Sequence, residues 1–270
     1  MNGKAVKQMG GLVRTNEKMK KHLGKAVKNF ENDLLCLTKH KKDLVLKEFT
    51  KELGKSIENV DWNHKDILDI SVMFGTINQL VMSSENRTRT MKQVNIYTTN
   101  YDDVIEKILI KSGNLCNVVS SSNIDSNDKF FDMIGYDYAK ETFLPTYLVS
   151  KIHGDLLNPI LPSKNKYDET LQKKRFEILF RMKSQLSREN SVLFIIGYSG
   201  NDEHLNSIIS DAIGYGLTAY WFKFDNDDKV PEKLDGKVHI IEQPDNSNKV
   251  NSTFICSERI RELWDNQSVE

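Results

Sequence analysis

Residues 194–204, FIIGYSGNDEH, join a short apolar run to a glycine-rich turn and the start of a helix. The run Ser191–Ile196 is apolar after its first residue, which is typical of a central parallel strand covered on both faces. Gly197 and Gly200 allow a sharp turn and a close approach of the backbone to a ligand. A strand, turn and helix in this order predict an α/β protein that binds ligands beyond the carboxyl ends of its strands.

Three polar residues in this turn have two possible roles. Ser199, Asn201 and Asp202 stand at the start of the predicted helix, where a hydroxyl-rich or anionic ligand is favoured. The same residue types are preferred helix N-caps. Spacing alone favours the capping role and leaves ligand binding open.

A second turn, YTTNYDD, follows the predicted strand Val94–Thr98. It places Thr99, Asn100 and Asp102 close together, and a helix is expected to begin there and to end at Gly113. The carboxamide of Asn100 can orient a water or a ribose hydroxyl, because an amide both donates and accepts hydrogen bonds. Here too, Asn and Asp are preferred capping residues, so a purely structural role stays open.

The third turn, KIHGD at residues 151–155, lies at the end of a predicted strand, Tyr147–Ile152. It supplies the titratable group, His153. A histidine at a strand end, followed by Gly154, can present its imidazole to a cleft and transfer protons near neutral pH. A single histidine is more often structural, so His153 gains weight only from the other two turns.

Together the three turns resemble the sirtuin (SIR2) family, and more closely the prokaryotic SIR2-like proteins that cleave NAD in antiviral defence. The corresponding motifs of that family read TTNYD, HG and GYS, and Tyr101 stands where many sirtuins have isoleucine. The similarity covers about Val94–Ile213 and can be followed as far as Ile241. The implied fold is a Rossmann-like, doubly wound parallel sheet, in agreement with the alternation of predicted strands and helices.

The resemblance also implies a reaction and the residues that perform it. Asn100 and His153 are the expected catalytic residues, and NAD is the expected substrate. The residues implied to bind NAD are Thr99, Asp102, Gly197, Ser199, Asn201 and Asp202. Nicotinamide would leave the anomeric carbon through an oxocarbenium-like state. Capture by water gives ADP-ribose, whereas capture by an acyl-lysine oxygen gives deacylation, and neither requires a metal.

One part of the family pattern is not evident. A SIR2 fold is expected to begin with an apolar strand and a GAGxS-like loop beneath the pyrophosphate. The nearest candidate is KAVKQMGGLVRTNE, in which Gly10 and Gly11 follow a strand interrupted by lysines. Either these glycines form a degenerate phosphate loop or the first βα unit is missing through truncation, a late start codon or divergence.

Two regions are predicted. Residues 1–90 have a helical pattern from about residue 16, and residues 91–270 form the SIR2-like NAD-binding α/β domain. Residues 1–50 hold 12 Lys or Arg and 5 Asp or Glu, a net charge of +7, while the whole chain is neutral. These lysines alternate with apolar residues, which indicates a solvated helical surface rather than a nucleic-acid-binding site.

The three cysteines, Cys36, Cys116 and Cys256, are too far apart for a CxxC zinc pair or a disulfide framework. We therefore expect no zinc, unlike sirtuins that carry a four-cysteine structural zinc. The sequence has no apolar run of membrane-spanning length and no signal core, which predicts a cytoplasmic protein without a membrane partner. A homo-oligomer and a regulatory partner protein both stay open from the sequence.

Three functions stay open from the sequence. The preferred one is an NAD glycohydrolase, since the motifs match the NAD-cleaving relatives. The second is a non-catalytic module that binds NAD or ADP-ribose, since the glycine-rich loop is not evident. The third is an NAD-dependent protein deacylase, which the same residues can serve.

Overall fold

A computed structural model gives the structure of the chain. It describes residues 47, 50–51, 61–83, 93–114, 116–120, 132–134, 146–156, 159, 175–223, 229–242 and 252–267. The chain divides into two compact units, Met1–Ile178 and Leu179–Glu270, and each has its own sheet. Gly10, Gly11 and Cys36, together with the predicted loop 121–130, lie outside the described residues.

The first unit contains a four-stranded sheet. Its strands are β1 (Val94–Thr98), β2 (Cys116–Val119), β3 (Asp132–Ile134) and β4 (Tyr147–Lys151), in the spatial order β1-β4-β2-β3. β4 pairs in parallel with both β1 and β2, and all five of its residues are buried. A strand with parallel neighbours on both sides is expected to be apolar throughout, as most of YLVSK is.

Two helices accompany this sheet: α1 (Lys65–Ser83) and α2 (Val104–Lys111). The hydroxyl of Tyr147 in β4 donates a hydrogen bond of 2.5 Å to the carbonyl of Phe74 in α1. Their two rings also meet edge to face, with centroids 5.7 Å apart. Because Tyr147 is fully buried, its hydroxyl needs such a partner, and the pair fixes α1 to the sheet.

The second unit contains a parallel three-stranded sheet with the order β5-β6-β7. Its strands are β5 (Val192–Ile196), β6 (Thr218–Phe222) and β7 (His239–Ile241). Helix α3 (Arg175–Leu186) ends in this unit, and α4 (Glu203–Gly214) and α5 (Ser252–Gln267) lie within it. Phe194 of β5 packs on Tyr220 and Phe222 of β6, which joins the two strands through their aromatic side chains.

The α/β fold predicted from the sequence is confirmed, and the three strands predicted before the turns, β1, β4 and β5, begin within one residue of their predicted positions. Strand β1 has its predicted bounds. Two features differ from the expectation. β2 and the antiparallel β3 were not predicted, and β6 rather than β5 is the middle strand of the described three-stranded sheet. β2 is only four residues long, too short for its periodicity to distinguish it from a loop.

The helical prediction for residues 16–90 is met where the structure describes a long segment, namely α1. The predicted division into regions 1–90 and 91–270 stays a prediction. Among the described residues, no helix combines the length and the apolar character needed to cross a membrane.

Candidate functional site

The turn that carries Asn100 and the turn that carries His153 follow adjacent parallel strands. In the register of β1 and β4, Thr98 is the partner of Lys151. Asn100 and His153 each come two residues after this pair. The backbone N–H of Ile152 donates a 2.9 Å hydrogen bond to the carbonyl of Thr98, which extends the pairing to the last residue before His153. The fold therefore brings these two predicted catalytic residues to the same edge of one sheet.

Local hydrogen bonds shape both turns. The backbone N–H of Asn100 donates to the hydroxyl of Thr98 at 3.1 Å, so the buried threonine closes its own turn. Gly154 has a φ of 80°, a conformation that favours glycine, and its N–H donates to the carbonyl of Lys151 at 3.3 Å. The chain thus turns immediately after His153. Thr99, Asn100 and His153 are all partly exposed, as a ligand contact requires.

Asp102 has a structural role in this turn. Its side chain is buried and accepts the backbone N–H of Val104 at 3.0 Å, at the start of α2. The next residue, Asp103, is the N-cap by position but its side chain makes no capping hydrogen bond. Of the two aspartates before α2, Asp102 therefore provides the side-chain hydrogen bond to the start of the helix, and Asp103 does not. A role of Asp102 in binding NAD stays a prediction.

A buried ion pair that the sequence analysis missed joins the end of β4, just before His153, to helix α2, which follows the turn of Asn100. The ammonium of Lys151 is 2.7 Å from Oε1 of Glu106 in α2, and the side chains are 4% and 3% exposed. The same ammonium donates a hydrogen bond to the carbonyl of Asp102. Burial raises the pKa of Glu106, and the charge of Lys151 opposes that rise. The available signal was a lysine at the end of the mostly apolar strand YLVSK and a glutamate among the apolar residues of VIEKILIK.

In the second unit, the turn after β5 contains two glycines with positive φ, and their surroundings differ. Gly197 has a φ of 66°, and a Cβ placed on it would meet no atom of the described residues within 4 Å. Gly200 has a φ of 74°, and a Cβ placed on it would lie 2.5 Å from Cγ of Pro231. Gly200 is thus required by protein packing, whereas Gly197 leaves its backbone open to an approaching molecule.

The remaining predicted residues of this turn separate into exposed and buried groups. Asp202 is the N-cap of α4, and its carboxylate accepts the backbone N–H groups of His204 and Leu205 at 3.2 Å each. This confirms the capping role that spacing favoured for Asp202. Ser199 and Asn201 are exposed. They are therefore better placed than Asp202 for direct contact with a ligand.

Tyr198 supports this turn from inside, and the sequence analysis gave it no role. Its hydroxyl lies 3.0 Å from both the carbonyl of Asp202 and Oδ1 of Asn206, and it accepts the N–H of Asp202 at 3.2 Å. Asn206 in turn donates to the carbonyl of Gly200 at 2.8 Å. Burial raises the pKa of Tyr198 to about 12, so the hydroxyl keeps its proton at neutral pH. The network fixes the turn from Gly197 to Asp202 on the first turn of α4.

Among the described residues, no group of three or more His, Cys, Asp or Glu is arranged to hold a metal ion. Cys116 and Cys256 are buried and form no disulfide. The predicted site residues thus form two sets. Thr99, Asn100, Asp102 and His153 belong to the first unit, and Gly197, Ser199, Asn201 and Asp202 belong to the second.

Comparison with known proteins identifies the family. A protein-family model described as a SIR2-like domain matches residues 94–240, more than half of the chain. The chain therefore belongs to the SIR2-like family, whose domains use NAD as a substrate. The matched segment includes all three of the turns that first suggested the resemblance. A search of curated proteins found no match to this chain.

Proposed function

We propose that this protein is an NAD glycohydrolase that cleaves NAD to nicotinamide and ADP-ribose. One observation carries the proposal: Asn100 and His153 each stand two residues beyond the in-register pair Thr98 and Lys151, on adjacent parallel strands. Both residues thus follow the carboxyl ends of neighbouring parallel strands, where α/β sheets bind ligands. Family membership supplies the substrate.

The proposed reaction requires two kinds of group from the first unit: one that orients the water or the ribose and one that accepts a proton. Loss of nicotinamide leaves an oxocarbenium-like ribose, which a water molecule can attack directly. The amide of Asn100 can both donate and accept, so it can orient that water or a ribose hydroxyl. The imidazole of His153 can accept the proton that the attacking water releases. The two side chains thereby divide orientation and proton transfer between them.

The turn of the second unit suits the adenosine end of NAD. The open backbone at Gly197 leaves space that a Cβ would fill, and the exposed Ser199 and Asn201 offer a hydroxyl and an amide. Such groups match the hydroxyls of a ribose. We accordingly assign NAD binding to residues 91–270, with Thr99, Asp102 and Asp202 supporting the site. We place the reaction in antiviral defence in the cytoplasm, with or without a regulatory partner, because the motifs resemble those of NAD-cleaving defence proteins.

The test is to incubate the protein with NAD and to measure the released nicotinamide by chromatography. We expect His153→Ala and Asn100→Ala to abolish cleavage while the melting temperature stays close to that of the unmodified protein. Matched controls are His239→Ala in β7 and Asn95→Ala in β1, which replace exposed residues of the same types and are expected to leave cleavage unchanged. Failure of the unmodified protein to release nicotinamide, with and without a candidate activator, would refute the proposal.

Two further measurements separate the alternatives. Calorimetric binding of NAD or ADP-ribose without turnover would favour a non-catalytic binding module. Deacylation of an acylated peptide at the rate of nicotinamide release would favour a deacylase. Nicotinamide release that is independent of an acylated peptide and yields ADP-ribose supports the glycohydrolase.

A further inference from the structure

The turn that contains Asn100 is held on both sides by residues that immediately precede His153. On one side, the N–H of Ile152 donates to the carbonyl of Thr98 at 2.9 Å. On the other, the ammonium of Lys151 donates to the carbonyl of Asp102. Thr98 and Asp102 bracket Asn100 by two residues each. Two hydrogen bonds therefore join the segment that carries Asn100 to the residues just before His153.

The position of Lys151 depends on Glu106. The carboxylate lies 2.7 Å from the ammonium, and the first helical turn of α2 carries it. Val104, at the start of the same helix, donates its N–H to the side chain of Asp102 at 3.0 Å. Lys151 thus connects β4 to the turn and, through Glu106, to the helix that follows the turn.

Stability alone gives a weak reason for such a pair. Two charges lose their hydration on burial, and an apolar pair of similar volume is often equally or more stabilising. A buried ion pair does impose a direction, because each of its donors must meet an acceptor. Here one donor of Lys151 is directed at a backbone carbonyl two residues from Asn100.

We propose that Lys151, anchored by Glu106, is a positioning residue that fixes the turn of Asn100 relative to His153. The inference rests on the proposed NAD cleavage for its catalytic consequence. Catalytic groups have to be held within about 0.5 Å of their productive positions. Loss of the Lys151 contact frees the carbonyl of Asp102, and with it one side of the Asn100 turn.

The test uses a variant in which the fold is retained but the contact is lost. In the double variant Lys151→Met/Glu106→Leu, both charges are replaced by apolar side chains of similar length. We expect a melting temperature within a few degrees of the unmodified protein, kcat lowered by about 10- to 100-fold and KM little changed. The matched control is Lys183→Met, which removes a lysine from an exposed ion pair with Asp211 and should change none of these quantities.

Hydrogen exchange measured by mass spectrometry supplies a readout that is independent of catalysis. We expect faster amide exchange in the double variant over residues 97–104 and 151–156, and unchanged exchange over residues 197–206. Should the double variant fail to fold, the single variant Lys151→Met provides the same comparison, because Glu106 can then take up a proton.

The outcomes separate this inference from the proposed function. If the unmodified protein releases no nicotinamide, the proposed function fails and the exchange data still decide the inference. If it releases nicotinamide and the double variant does so with unchanged kcat, or if exchange over residues 97–104 is unchanged, the positioning role is refuted and the NAD glycohydrolase stands.

Discussion

Lys151 and Glu106 form a buried ion pair, with 2.7 Å between the ammonium and the nearer carboxylate oxygen. The pair joins β4 to α2 at the point where the turn of Asn100 meets the strand of His153. Neither residue carries the predicted chemistry. The buried carboxylate and ammonium instead affect the free energy of unfolding and the geometry of the turns next to the candidate site.

The stability of the protein should depend on pH through Glu106. Burial raises the pKa of this carboxyl, and the opposing effect of Lys151 is smaller. The folded protein then holds the proton more tightly than the unfolded chain does. The contribution of Glu106 to stability is therefore present below the pKa of the unfolded chain and is lost as pH rises through the pKa of the folded protein.

We expect the free energy of unfolding of the unmodified protein, relative to Glu106→Gln, to fall as pH rises above the ordinary glutamate pKa of 4.5. Urea unfolding curves of both proteins at several pH values measure this difference. A difference that is constant or that rises with pH would contradict the assignment.

The two glycines of the second turn should respond differently to alanine. Gly197→Ala introduces a positive φ at a non-glycine residue in open space, at a cost of about 1 to 2 kcal/mol. Gly200→Ala adds a collision with the ring of Pro231 and should cost about 1 to 3 kcal/mol more. Urea unfolding gives both values. Equal destabilisation of the two variants would show that Pro231 moves aside.

Removing the hydroxyl of Tyr198 should destabilise the second unit. The hydroxyl contacts the carbonyl of Asp202 and Oδ1 of Asn206 and accepts the N–H of Asp202. Tyr198→Phe removes these hydrogen bonds, at a cost of about 1 to 3 kcal/mol. Tyr215→Phe is the control, because Tyr215 is 67% exposed, and it should change stability by less than about 0.5 kcal/mol. If both variants unfold at the same urea concentration, the hydroxyl network does not support the turn.

Cys116 and Cys256 should resist alkylation in the native protein. The pKa of each thiol is raised to about 12, chiefly by burial, and the charge of Glu106 contributes to the rise at Cys116. The reactive thiolate is therefore scarce at about pH 8. A Cys36→Ser variant treated with iodoacetamide should gain no mass until it is unfolded, and then gain two labels. Labelling of either cysteine under native conditions would count against their burial.

Much of the fold could be predicted from local pattern. The apolar run before Gly197 and the β-branched run Val94–Thr98 each satisfy a strand pattern and are followed by a helix cap. Asp202 was rightly given a capping role, because capping depends only on residues within one helical turn. Local geometry of this kind is encoded in neighbouring residues, so the sequence reveals it directly.

The short strand β2 and the network of Tyr198 could not be predicted. β2 is four residues long, and its burial comes from pairing with β4, about thirty residues later in the chain. Tyr198 sits within the quoted motif, yet the direction of its hydroxyl depends on the turn around Gly200 and on Asn206 in α4. A pattern of residue types contains no such direction.

The sequence by itself indicated the family, which the family model confirmed, and the ends of the main strands, and it supplied the prediction that Asn100 and His153 are catalytic. Only the tertiary structure decided that Thr98 and Lys151 pair in register, and that Lys151 reaches both Glu106 and the carbonyl of Asp102. The physical reason is the separation along the sequence of the residues that interact. Caps and turns depend on bonds between near neighbours, whereas a buried charge is tolerated only where distant segments meet to provide its partner.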